Sequence, residues 1–117
     1  MIPFRNLLKK YHAANNSISE KLLITELVDY IANLLHRGFI DTDRNYYKNY
    51  GLLEGKIACL DTGNLREDPN LLLPHHFNLM FTKVFEKTRR WLCNHYPEDV
   101  EFFDAQIHKK LVDTKAL

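Results

Sequence analysis

The chain has 117 residues, 45% hydrophobic and 26% charged, the ordinary mix of a single globular domain over residues 1–117. Sixteen Lys and Arg against fifteen Asp and Glu leave a formal charge of +1, which gives no electrostatic footing for nucleic acid or a membrane surface. No uncharged run approaches the length needed to span a bilayer, so a soluble, cytoplasmic protein is expected.

In chain order, residues 1–16 carry Arg5, Lys9 and Lys10 and no acid, which reads as a solvated, fraying terminus. The segment lacks the apolar core of a signal peptide. Ser17 and Glu20 have capping-box spacing and open a helix expected over Ser17 to Arg37. Its buried stripe is Leu23, Ile24, Leu27, Val28, Ile31, Leu34 and Leu35, and Gly38 stops it. Residues 39–55 read as loop, apart from a short strand at Tyr50 to Leu53. That strand turns through Glu54-Gly55 into a second strand within Gly55 to Asp61. Residues 61–70 are turn chemistry. After Pro74, Phe77, Met80, Phe81, Val84, Thr88, Trp91 and Leu92 form a helical core stripe. Pro97 fits the first turn of a last helix that buries Phe103, Ile107 and Leu111. The fold expected is mainly helical α+β, with three or four helices around one small β-hairpin. Cys59 and Cys93 read as buried free thiols, with one disulfide between them as the alternative.

Common site chemistries find little purchase. His75 and His76 are adjacent, so on a helix they diverge by about 100° and do not share an ion. Asp41-Thr-Asp43-Arg-Asn45 opens like a calcium-binding EF-hand loop, but Tyr46 stands where the sharp turn needs glycine. Leu52 stands where a bidentate glutamate is needed. Neither cysteine lies in a nucleophile motif, and there is no Gly-x-Ser-x-Gly elbow.

The stretch from His36 to Leu65 is more suggestive. A helix ends in His36-Arg37, a loop supplies Asp43 and Asn49, a short apolar strand follows, and Asp61-Thr62-Gly63 comes after it. This order resembles the catalytic and metal-binding loops in the C-terminal lobe of protein kinase-like folds, closest to a divergent bacterial branch. The resemblance implies that Asn49 and Asp61 hold a divalent metal such as Mg²⁺, with Gly63 closing the Asp-x-Gly element. It implies Asp43 as the catalytic aspartate that meets the attacking hydroxyl, with Asp41 the second choice. Hard Mg²⁺ suits such carboxylate and amide oxygens. Gly38 stands where the family's aspartate follows His-Arg, the step from Asp43 to Asn49 is one residue longer than the family's, and Thr62 replaces phenylalanine. No Gly-x-Gly-x-x-Gly loop or Val-Ala-Ile-Lys strand precedes the site, so ATP binding is not expected. The functional expectation is a truncated or degenerate phosphotransferase-type module, inactive alone, that retains divalent-metal binding. The alternative is a small helical interaction module in which "NLLLPHHFNLMF" holds a protein partner or a second copy of the chain.

Overall fold

Strand β1 (Ile2–Pro3) leads directly into helix α1 (Phe4–Ala13) in the computed structural model, which describes residues 2–60 and 63–114. Phe4, Leu7 and Leu8, at steps of three and one, are buried on one face of α1, while Arg5, Lys9 and Lys10 face solvent. The basic segment is therefore a packed amphipathic helix and not a fraying end. Three large apolar side chains outweigh a polar composition once a partner surface exists to bury them. Helix α2 (Ser17–His36) follows, capped one residue earlier than its sequence suggests. Asn16 Oδ1 accepts from the Ser19 backbone N–H at 3.1 Å. Leu23, Ile24, Leu27, Val28, Ile31 and Leu35 are buried as the periodicity requires, and Leu34 is half-buried.

Strand β2 (Phe39–Asp41), the one-turn helix α3 (Tyr46–Asn49) and strand β3 (Tyr50–Leu53) occupy the segment expected to be mostly loop, and strand β4 (Lys56–Cys59) follows within the run read as a strand. The hairpin forms as read: Tyr50 pairs with Cys59 and Leu53 with Lys56. Its two-residue turn puts both Glu54 and Gly55 at positive φ (52° and 80°), the twist a tight hairpin needs. Strand β1 joins the other edge of β3, giving the order β1-β3-β4. Gly51 permits this, because a Cβ there would lie 2.0 Å from the Ile2 carbonyl oxygen. Strand β5 (Leu65–Glu67) returns antiparallel to β2, with Asp41 opposite Leu65 and Phe39 opposite Glu67.

A 3₁₀ turn (Pro69–Leu72) leads to helices α4 (Pro74–Val84) and α5 (Glu86–His95). The single stripe expected after Pro74 is thus split at Phe85, whose ring packs edge-on to Phe81 and Phe103. A second 3₁₀ turn (Pro97–Asp99) opens helix α6 (Val100–Lys110). The protein is a mainly helical α+β fold. Five of its described helices have ten or more residues, above the three or four expected, because α1 packs and α4 and α5 are separate. Among the described residues no helix is long and apolar enough to cross a membrane. Both cysteines are free thiols, Cys59 half-buried and Cys93 exposed, so only the first approaches the burial expected of it.

Candidate functional site

Asp41 ends β2 with its side chain turned into the protein, 1% exposed. Its Oδ1 accepts from the Asp43 backbone N–H at 2.9 Å, an Asx turn that swings the chain outward. Its Oδ2 accepts from the Tyr50 hydroxyl at 2.8 Å, with Cys59 Sγ at 3.9 Å. Tyr46 packs edge-on against Tyr50, and its buried hydroxyl has no hydrogen-bond partner among the described residues. Burial, then the neighbouring Asp41 charge, pushes the Tyr46 hydroxyl far above its ordinary pKa. Burial and the hydrogen bond to Asp41 do the same for Tyr50. Asp41, the second choice for a proton-accepting aspartate, is sealed from any substrate and instead shapes the loop.

Asp43 is the accessible acid, and the turn at Asp41 points it outward. Its Oδ1 accepts from the Asn45 backbone N–H at 3.1 Å and from Asn45 Nδ2 at 2.9 Å. Its Oδ2 accepts from Asn49 Nδ2 at 2.8 Å. The Asn45 backbone N–H foremost, with the two amide side chains, holds the carboxyl below the ordinary aspartate range. An ionised carboxylate has about four acceptor positions, so these three donors leave one open on Oδ2. Asp43 is thus an anchored anion able to orient a hydroxyl. Asn49 Oδ1, the hard oxygen a divalent ion would use, takes no hydrogen bond from any described residue.

The structure brings Asp43 and Asn49 into direct contact. The second proposed metal ligand, Asp61, lies outside the described residues. The residues flanking it are tied to the same loop: Leu60 N–H donates to the Asn49 carbonyl at 2.7 Å, and Thr42 N–H donates to the Asn64 carbonyl at 2.9 Å. Among the described residues no three His, Cys, Asp or Glu side chains are grouped to hold a metal ion. The Asn49 oxygen is compatible with Mg²⁺, yet a full set would need Asp61 as well.

No protein-family model, curated protein or solved structure matches the chain.

Tyr50 is the site residue that sequence reading missed. Its cue was faint: a tyrosine directly after Asn49, at the start of a strand whose next residue is glycine.

Proposed function

We propose that the chain is a degenerate kinase-like, phosphotransferase-type module that retains weak divalent-metal binding at Asn49 and Asp61 and does not catalyse transfer alone. The observation that carries the reading is the closure of the loop. Strand β2 ends at Asp41, the hairpin β3–β4 folds back, and β5 returns to pair with β2. That topology sets Asn49 on Asp43 and ties the residues on both sides of positions 61 and 62 to one loop. In this reading Asn49 and Asp61 hold the ion, which would supply charge neutralisation to phosphate oxygens. Asp43 orients the incoming hydroxyl through its open acceptor position and takes its proton. Asp41 and Tyr50 keep Asp43 facing out.

Thermal melting with millimolar Mg²⁺ or Mn²⁺, with and without ATP, tests the reading. A rise in melting temperature that disappears in both Asn49→Ala and Asp61→Ala supports it. A melting temperature indifferent to metal in every arm sinks it.

A second reading is favoured by Leu72, Leu73 and Leu79, which are 67%, 59% and 58% exposed on the 3₁₀ turn and α4. Under it, this face of "NLLLPHHFNLMF" meets a protein partner or a second copy of the chain. Sedimentation of the wild type and a Leu72→Ser/Leu79→Ser variant decides whether self-association depends on that face.

A further inference from the structure

Helix α5 presents two faces of opposite electrostatic character. On one, Arg89 holds Asp104 of α6 through two nitrogens at 3.0 Å, so its charge is matched. On the other, Lys87, Arg90, Trp91, Asn94 and His95 recur at steps of three and one, which gathers them on a single side. Lys87 and Arg90 are exposed, and neither forms an ion pair among the described residues.

This face is one wall of a groove of about 300 Å³. The other wall is the Asp43 loop, which contributes Asn45 and Tyr47. Trp91 lines it as well. Its ring stacks on Tyr47 with centroids 5.0 Å apart and planes 4° from parallel, and on His95 at 5.2 Å. Asn45 belongs to both places: it donates to Asp43 Oδ1 and lines the groove. Two exposed cations, of which Lys87 also acts on the Asp43 carboxyl, two side-chain amides and a stacked aromatic cluster therefore line a groove beside the outward-facing aspartate. Lys and Arg beside amide donors are the chemistry that holds phosphate oxygens, and the aromatic side chains lining the groove suit the organic body attached to them.

We propose that the groove between α5 and the Asp43 loop binds a phosphate-bearing small molecule through Lys87 and Arg90, beside the Tyr47, Trp91 and His95 aromatic cluster. The choice of phosphate over another anion rests on the phosphotransferase-type reading of Asp43, but the site itself does not depend on a metal.

Trp91 is the sole tryptophan of the chain, so its emission reports on this groove directly. Titration of the intact protein is done in EDTA at constant ionic strength, with inorganic phosphate, pyrophosphate and adenosine monophosphate as separate probes. A saturable change in emission is expected, with adenosine monophosphate binding tighter than inorganic phosphate if the aromatic lining contributes. Lys87→Gln/Arg90→Gln should weaken it by about 10-fold or more, the loss expected for charge-assisted hydrogen bonds. Lys9→Gln/Lys10→Gln removes the same charge from exposed positions on α1 and should leave binding unchanged. No saturation with any probe, or equal weakening in both double variants, overturns the proposal. The absence of metal separates the two questions. A groove that binds phosphate while melting stays indifferent to Mg²⁺ refutes the metal site and not the groove, and the reverse result refutes only the groove.

Discussion

Two buried aspartates, Asp41 and Asp99, show what the surroundings of one side chain decide. Asp41 is 1% exposed and Asp99 is 5% exposed. Asp41 meets donors on both oxygens, a backbone N–H and a tyrosine hydroxyl. Asp99, at the end of the second 3₁₀ turn, instead meets a second buried acid, Glu20 of α2, while its Oδ2 has no partner among the described residues. His12 of α1 bridges Glu20 at 3.0 Å and Glu98 at 3.2 Å, and Tyr96 packs on the His12 ring. Burial first, then the hydrogen bond and charge of Glu20, pushes the Asp99 carboxyl up to about 6. Donors turn a buried acid into a scaffold, whereas a neighbouring acid turns it into a proton-holding group.

The comparison breaks most visibly at Asp41. Asp41→Ala should cost about 3 kcal/mol, because it strands the Tyr50 hydroxyl and the Asp43 N–H that it satisfied. Urea denaturation checks this through the midpoint at an unchanged slope. A variant within about 0.5 kcal/mol of wild type would show that Asp41 is not the loop's anchor.

Asp99 sharpens the contrast with the opposite sign. Its folded value, about 6, lies above the ordinary 3.8, so the folded chain holds this proton more firmly than the unfolded chain. That contribution to stability is complete below about pH 4 and is lost as pH rises through about 6. Asp99→Asn keeps the shape, removes the charge, and should therefore gain on the order of 1–2 kcal/mol at pH 7 while losing the slope between pH 4 and 6. Melting curves across that window test it, and an undiminished slope in the variant would place the proton elsewhere. Asp43 runs the other way. Its lowered carboxyl contributes above the ordinary aspartate range and loses that contribution as pH falls.

What the sequence made legible follows the same division between local and distant causes. The α2 stripe and the hairpin turn are written in spacing and in Glu54-Gly55, so both were readable. Asp43 and Asn49 stood out separately as candidates, and their contact follows from the short loop that joins them. Strands β2 and β5 have three residues each, too few for a period to show, and exist because they pair across 24 residues. Glu20 read as half of a capping box, yet its carboxylate faces His12 and Asp99, partners that only the tertiary fold supplies. Asp41 likewise looked like a loop acid until Tyr50 closed on it.

The smallest effect is the most discriminating within the Asp41 cluster. Tyr46 and Tyr50 are both fully buried, and their rings meet edge-on at 5.2 Å. Only the Tyr50 hydroxyl reaches Asp41; that of Tyr46 is desolvated without a partner among the described residues. Removing a hydroxyl that makes no bond forfeits nothing on the folded side and removes a desolvation cost. Tyr46→Phe should therefore be neutral or stabilising by up to about 1 kcal/mol, whereas Tyr50→Phe should cost about 1–2 kcal/mol by leaving Asp41 Oδ2 without its strongest donor. Both changes delete one oxygen and keep the ring, so packing cancels and the difference between them reads the hydrogen bond to Asp41. Equal losses in the two variants would mean that the aromatic packing, and not the buried carboxylate, holds the loop in place.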